Sequence, residues 1–195
     1  MRDPARWLKP LFFTVSLLPL LVLLFRALFS DLGVNPVETL HHTLGDWTLR
    51  FLIITLLITP LRLIPGWNWL SKMRRMMGLY AFFYATLHLI VYLAIDQQFD
   101  WSAIDDDITH HPYITLGMSA YVLLIPLAIT SNHTMINRLG NYWKKLHRMI
   151  YLITALGILH FYLLVKADTR EPLFYAGLFC VLLILRLLLA GRKVT

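Results

Sequence analysis

The sequence contains only one cysteine, Cys180, and that residue lies inside an apolar run. A single thiol excludes an internal disulfide framework, a thiolate zinc cluster and a cysteine-bound iron–sulfur cluster. The C-x-x-C-H motif is missing too, so any haem would be held non-covalently. The sequence also has no G-x-G-x-x-G dinucleotide fingerprint and no soluble segment long enough to form such a domain. We therefore expect that the chain does not oxidise NADPH unaided.

Charged residues are scarce as well. They make up 15% of the chain, against 58% hydrophobic residues, and the mean hydropathy is +0.63. This composition is typical of a polytopic helical membrane protein and not of a soluble domain of 195 residues. The net charge of +7 does not indicate nucleic-acid binding, because the basic residues fall at the ends of predicted membrane helices.

Six apolar segments are each close to the ~20 residues that a helix needs to cross the hydrocarbon core. They cover residues 11–30, 47–64, 76–95, 113–131, 149–166 and 172–190. The sequence therefore predicts an all-α membrane protein, a bundle of six transmembrane helices that forms a single domain over residues 1–195, surrounded by membrane lipid.

Basic and acidic connections alternate between these segments. The basic set is Arg2, Arg6, Lys9, Lys72, Arg74, Arg75, Arg138, Lys144, Lys145, Arg148, Arg192 and Lys193. The acidic set is Asp31, Glu38, Asp46, Asp96, Asp100, Asp105, Asp106 and Asp107. Because basic residues favour the cytoplasmic side of a membrane, this alternation predicts that both termini are cytoplasmic.

Two histidines lie deep inside apolar segments, His88 in 76–95 and His160 in 149–166. An ionisable side chain in a membrane helix is costly and is read first as functional. Imidazole is an axial ligand of haem iron, and a haem held by two histidines between two helices needs one from each. The alternative is that both histidines form hydrogen bonds between helices.

The depths of the two histidines agree. At ~1.5 Å of rise per residue, His88 lies about 21 Å beyond Arg74, and His160 lies roughly 22 Å beyond Lys145. Both therefore fall in the outer half of the membrane at nearly the same level. This agreement predicts a metal site close to the extracytoplasmic face.

Two arginines depart from the charge pattern, Arg26 near the outer end of the first helix and Arg50 near the outer start of the second. Haem propionates are anionic, so one or both arginines are candidates to pair with a propionate. The alternative is that their side chains snorkel to the outer interface.

His147 is a third candidate ligand, at the inner end of the fifth segment. It precedes His160 by about 19.5 Å of helical rise, a reasonable separation for two stacked haems. On an ideal helix, however, the two side chains point about 140° apart, so an irregularity near Gly157 would be needed. The third segment has no second histidine: Arg74 stands fourteen residues before His88, and Met77 falls on the same face. An inner haem would need Met77, another ligand or an open position, and the alternative for His147 is an interfacial residue.

The remaining histidines, His41, His42, His110, His111 and His133, fall in predicted loops and are interpreted as solvated residues. For the outer ones a docking surface or a quinone contact is the alternative.

Two stretches, RRMMGLYAFFYATLHLIVYL and SNHTMINRLGNYWKKLHRMIYLITALGILHFYLLVK, combine the histidine spacing with basic and aromatic surroundings. In these stretches the chain resembles the MsrQ family, the haem-binding membrane subunits of bacterial methionine sulfoxide reductase systems. That family belongs to the ferric-reductase-like transmembrane group, which carries haem b between the third and fifth helices. Its histidine ligands match His88, His147 and His160, one fewer than in the NADPH oxidase relatives.

The resemblance implies an electron-transfer subunit of the bacterial inner membrane, with one haem b or two, and with FMN. It implies electrons from the quinone pool or a cytoplasmic flavin reductase. Their acceptor would be a periplasmic molybdopterin methionine sulfoxide reductase, MsrP, which repairs oxidised proteins. Two alternatives stay open: a transmembrane ferric or metal reductase, and a non-redox transporter or assembly protein.

Overall fold

The computed structural model describes residues 4–165 and 167–190. These residues form helices and connections, with no β-strand among them. Six helical segments are long and apolar enough to cross a membrane: Arg6–Leu28, Pro36–Leu61, Asn68–Asp96, Pro112–Ile129, Asn141–Leu164 and Arg170–Leu189. The predicted all-α architecture with six candidate spans is confirmed. Arg2, Arg192 and Lys193, which contributed to the predicted orientation, lie outside the described residues.

Nine α-helices are present in the described ranges. They are α1 (Ala5–Leu28), α2 (Pro36–Leu61), α3 (Ser71–Ile90), α4 (Trp101–His110), α5 (Pro112–Ile129), α6 (His133–Leu139), α7 (Asn141–His147), α8 (Ile150–Leu164) and α9 (Arg170–Ala190). A short 3₁₀ turn (Asn68–Leu70) leads into α3, and a π-helical turn (Val91–Asp96) continues it. π-helical turns are rare, and those that occur often lie at functional sites.

α1 contains Pro19, and a tyrosine of α3 compensates for the disturbed backbone. Leu20 N donates to the Tyr84 hydroxyl (3.2 Å), which in turn donates to Ser16 O (2.8 Å). In a regular helix Leu20 N and Ser16 O would bond each other directly. The buried Tyr84 hydroxyl therefore bridges the opened turn, which is how a membrane helix tolerates proline.

α2 begins at Pro36, eleven residues before the predicted start at residue 47. Asn35 caps it by accepting from Glu38 N (3.3 Å), and proline is favourable at the first helical position. The predicted start was wrong because the first turns are polar, and polar residues were interpreted as a loop. The assignment of His41 and His42 to a loop was wrong for the same reason. His110 and His133 also lie in helices, in α4 and α6.

The helices pack most extensively in two pairs, α2 with α3 and α5 with α8, and α9 packs against α2 and α8. One buried core joins α1, α2 and α3 and includes residues of α5 and α8. Within it Phe51 stacks on Tyr80 and Tyr84, with ring centroids 5.4 and 5.3 Å apart. A smaller core joins α2, α8 and α9 around Ile53 and Phe179. The two helix pairs face each other and leave space between them for the site described below.

The described carboxylates all lie in one half of the bundle. They occupy the loops after α1, α3 and α8, the neighbouring helix ends, and α4: Asp31, Glu38, Asp46, Asp96, Asp100, Asp105, Asp106, Asp107, Asp168 and Glu171. We refer to this half as the acidic end. The opposite end contains α6, α7 and the connection from α2 to α3, and most described lysines and arginines lie there.

Candidate functional site

A cavity of about 900 Å³ lies between α2, α3, α5 and α8 and extends to the acidic end. Its deeper part is lined by apolar side chains that include Leu52, Leu124 and Ile153. Toward the acidic end it is lined by histidines, tyrosines and carboxylates. Its volume is in the range of pockets that hold organic cofactors.

His88 and His160 enter this cavity from α3 and α8. Their ring centroids are 6.3 Å apart and their planes are nearly perpendicular, at 86°. Two imidazoles on opposite sides of one metal ion would have centroids about 6 Å apart, since each metal–nitrogen bond is about 2 Å long. The rings are therefore spaced for one metal ion between them.

The hydrogen bonds of both rings leave the same nitrogen free. His88 Nδ1 donates to the backbone carbonyl of His41 on α2 (3.1 Å), and His160 Nδ1 donates to that of Tyr113 on α5 (2.6 Å). A carbonyl oxygen only accepts, so Nδ1 carries the hydrogen in both rings. In the neutral imidazole Nε2 then has a lone pair, which is the form that ligates metals.

Two glycines give the rings room. A Cβ at Gly117 would lie 2.9 Å from His160 Nδ1 and 3.0 Å from its Cε1. A Cβ at Gly45 would lie 3.4 Å from His88 Cε1. Each imidazole therefore packs directly on the backbone of the neighbouring helix, and α5 tolerates no side chain at residue 117 without displacing the ring.

The two halves of the site repeat each other. The same three features occur in each half: a residue whose carbonyl accepts the hydrogen bond, a glycine and a histidine. They stand at positions 41, 45 and 88, and each recurs 72 residues later at 113, 117 and 160. The pairs α2–α3 and α5–α8 thus present one imidazole each from opposite sides of the cavity. Sequence analysis missed the two glycines and the carbonyl partners, although this equal spacing was a signal that an internal repeat could have revealed.

His147 lies outside the lining of this cavity, at the opposite end of the bundle. Its ring stacks on Trp143 with centroids 3.9 Å apart, and Nδ1 donates to Trp143 O (3.1 Å). Nε2 lies 3.4 Å from the Ser131 hydroxyl. The chain leaves regular helical geometry at residues 148–149, between α7 and α8. The ideal-helix angle between His147 and His160 therefore does not apply, and the irregularity lies at this break instead of at Gly157.

The other residues predicted at the inner level do not reach the cavity lining. Met77 is buried in the core of α1, α2 and α3, with 3% of its surface exposed. Arg74 is half-buried on α3 and lies close enough to His147 to interact with it electrostatically. The structure thus places Arg74 near His147 and keeps Met77 inside the hydrophobic core.

Both arginines predicted near a propionate are engaged with other residues. Arg26 donates from Nε to the backbone carbonyl of Asp31 (3.0 Å) and lies 3.5 Å from that residue's carboxylate. Arg50 donates to the Tyr175 hydroxyl (3.1 Å) and to Asp46 Oδ2 (3.4 Å). Neither lines the cavity of His88 and His160.

The arrangement fits a planar macrocycle better than a bare ion. In residues 4–165 and 167–190, no group of three or more His, Cys, Asp or Glu side chains is placed to hold a metal ion. Haem iron receives its in-plane nitrogens from the porphyrin and needs only axial ligands from the protein. An axial pair, an apolar cavity and a glycine clearance on each side are the features such a group requires.

Comparison with known proteins places this architecture in a family. A family model described as ferric reductase like transmembrane component matches residues 11–158. A protein from Rhodospirillum rubrum, named protein-methionine-sulfoxide reductase heme-binding subunit MsrQ, is 47% identical over 194 residues, which cover 99% of this chain and 93% of that protein. The chain belongs to the MsrQ family.

Two further relatives carry the same name. The one from Herminiimonas arsenicoxydans is 47% identical over 189 residues, covering 95% of this chain and 87% of the relative. The one from Brucella anthropi is 44% identical over 184 residues, covering 94% and 83%. These MsrQ matches extend over nearly the whole chain and are thus not confined to the two stretches around the histidines.

Proposed function

We propose that this chain is a b-type cytochrome of the bacterial inner membrane in which His88 and His160 hold one haem b through Nε2. The observation that carries this proposal is the 6.3 Å separation of two imidazoles whose Nδ1 atoms both donate to backbone carbonyls. The names of the MsrQ relatives, which call those proteins heme-binding subunits, support it.

Bound haem supplies one-electron chemistry, and the residues of the chain determine how that chemistry is used. His88 and His160 would fill both axial positions, which suits electron transfer and leaves no position for dioxygen. The carbonyls of His41 and Tyr113 hold the rings in one tautomer and orientation, and accepting from Nδ1 raises the basicity of each ligand. The apolar lining limits water around the iron, which is a determinant of the reduction potential.

We propose that residues 1–195 form a single domain. In the proposed orientation both termini are cytoplasmic and the acidic end lies outside. The clustering of the described carboxylates in one half supports this orientation, because basic residues favour the cytoplasmic side. The histidine pair then lies nearer the periplasm, where an electron can pass to a partner outside the membrane.

We further propose that the chain is an electron-transfer subunit and not the catalytic one. Electrons would enter from the quinone pool or a cytoplasmic flavin reductase and leave to a periplasmic molybdopterin methionine sulfoxide reductase of the MsrP type. The relatives are named as subunits of a protein-methionine-sulfoxide reductase, which supports that acceptor. FMN, which the resemblance implied, would belong to the opposite end, around His147 and Arg74.

Reoxidation kinetics test the acceptor. Chemically reduced protein in membranes is mixed in a stopped-flow instrument with the periplasmic reductase and methionine sulfoxide, and haem absorbance is followed. We expect rapid reoxidation with both present and slow reoxidation when either is omitted. A rate indifferent to the reductase but accelerated by ferric chelates would instead support a transmembrane ferric reductase. Purified protein without a Soret band would contradict every haem-based function.

His147 gives a separate prediction. We expect His147→Ala to retain the full low-spin haem spectrum, because its ring is stacked on Trp143 and lies outside the cavity lining. Reduction from the cytoplasmic side should slow, while dithionite still reduces the haem completely. Haem content is measured as pyridine haemochrome per chain, with one haem expected in both proteins. A fall from two haems to one in the variant would identify His147 as the ligand of an inner haem.

A further inference from the structure

His41 has a side-chain nitrogen that is buried and unused. Among the described residues, its Nε2 is the one buried side-chain nitrogen or oxygen without a hydrogen-bond partner. Such a group is costly unless something in the functional state bonds to it. The residue lies on α2 and lines the cavity of His88 and His160.

The neighbouring polar groups do not satisfy this nitrogen. The nearest carboxylate oxygen, Asp96 Oδ2, is 3.6 Å away, which is too long for a hydrogen bond. Asp107 accepts from Tyr92 (2.9 Å) and from Gln97 (2.8 Å). Asp107 is therefore engaged with Tyr92 and Gln97, and Asp96 lies beyond hydrogen-bond distance, so His41 Nε2 has no hydrogen-bond partner.

The position of His41 relates it directly to the proposed iron ligand. Its ring meets the His88 ring edge to face, with centroids 5.2 Å apart and an interplanar angle of 85°. Its backbone carbonyl accepts the hydrogen of His88 Nδ1. The His41 side chain therefore lies beside the proposed iron ligand His88, on the side of the cavity that opens to the acidic end.

Haem carries two propionate carboxylates, which would need partners in the cavity. No lysine or arginine is among the described residues that line it. The charged residues that do are carboxylates: Glu38, Asp46, Asp96, Asp107 and Asp168. The arginines near this end are bonded elsewhere, Arg26 to Asp31 and Arg50 to Asp46 and Tyr175. Among the described residues, the donors that this cavity offers a propionate are therefore neutral.

We propose that His41 Nε2 donates a hydrogen bond to a haem propionate, so that one residue holds the axial ligand with its backbone and the haem edge with its side chain. This inference rests on the proposed haem site at His88 and His160. It makes His41 a haem-binding residue in place of the arginines that the charge pattern suggested.

His42 provides a matched control one position along the same helix. It lines the same cavity, but its Nε2 lies 3.7 Å from Glu38 Oε1 and its side chain is 43% exposed. Both histidines thus have a carboxylate at a similar distance, and they differ in burial: water reaches the His42 side chain, whereas His41 Nε2 is buried without a hydrogen-bond partner. The two residues thus share chemistry and helix and differ in the feature on which the inference depends.

The test measures haem loss from purified protein loaded with haem or with haem dimethyl ester, whose propionates are blocked. Proteins compared are wild type, His41→Ala, His41→Gln and His42→Ala, and haem is captured by excess apomyoglobin. Loss of a hydrogen bond to a charged group should make His41→Ala release haem roughly 10- to 100-fold faster. Haem dimethyl ester should dissociate from wild type and from His41→Ala at the same rate. His41→Gln, which keeps an N–H donor, should restore part of the retention, and His42→Ala should match wild type.

A resonance Raman spectrum gives a second measurement that a general loss of stability would not reproduce. The propionate bending mode should shift in His41→Ala, while the low-spin marker bands of the two axial histidines stay unchanged. The inference would be overturned if His41→Ala accelerated the loss of haem and of haem dimethyl ester by the same factor. It would also be overturned if His42→Ala accelerated haem loss as much as His41→Ala does, or if the propionate bending mode of His41→Ala did not shift. Those results leave the haem site itself intact, whereas wild-type protein without low-spin haem would overturn the proposed function.

Discussion

Replacing either His88 or His160 with alanine is expected to abolish the low-spin haem spectrum of the purified protein. The two rings are 6.3 Å apart, one from each side of the cavity, so removing either leaves one imidazole of the proposed pair. One remaining imidazole leaves the iron held from a single side. Absorbance spectra and pyridine haemochrome content should both report the loss.

Chemical rescue separates loss of a ligand from loss of the fold. Imidazole added to His160→Gly should enter the space left by the side chain and restore the low-spin spectrum. His133→Ala, at an exposed position on α6 away from the cavity, is the matched control and should keep the wild-type spectrum. A full low-spin spectrum in either alanine variant would show that the proposed pair is wrong.

Adding one methyl group at Gly117 is expected to weaken haem binding strongly. The new Cβ would lie 2.9 Å from His160 Nδ1, and the ring cannot retreat without breaking its bond to Tyr113 O. Overpacking of this kind costs about 1–3 kcal/mol, which corresponds to roughly five- to hundredfold weaker binding. Haem titration of the purified apoprotein measures the change.

The other helical glycines supply a graded comparison. Gly45→Ala should have a smaller effect, because its Cβ would approach His88 Cε1 only to 3.4 Å. Gly177→Ala on α9 would meet nothing within 4 Å and should leave binding unchanged. All three substitutions raise helix propensity equally, so differences among them report the contact with the ring. Equal affinities for all three variants would mean that the clearance at Gly117 does not control the imidazole.

Hydropathy and helical rise were sufficient to predict the spans and the level of the two histidines. The six apolar segments correspond to the six candidate spans, although α2 begins eleven residues earlier than predicted. The error has a physical cause. The first turns of α2 carry His41, His42 and Asp46, which line the cavity, and residues facing a polar cavity do not contribute to an apolar run.

The charge pattern pointed to two arginines as partners of a propionate, and that stays a prediction. Arg26 and Arg50 are cations in the acidic half of the bundle. In the structure Arg26 bonds Asp31, and Arg50 bonds Asp46 and Tyr175. Of these, Asp31 and Asp46 are near in sequence, whereas Tyr175 comes from α9, 125 residues away. The sequence did not predict a role for His41, because a histidine in a polar stretch that resembles a loop gives no sign that its Nε2 is buried.

What the sequence by itself determined is the number of spans, the class of the protein and the equal depth of His88 and His160. These properties depend on the length and polarity of single segments, which the bilayer thickness and the helical rise convert directly into positions. Only the tertiary structure decided that His41 and Tyr113 orient the two rings, that Gly45 and Gly117 make room for them, and that both arginines are engaged elsewhere. Those properties depend on which helices are neighbours and how they are rotated, because a hydrogen bond or a methyl-sized clearance is set by distances of a few tenths of an ångström between segments far apart in the chain.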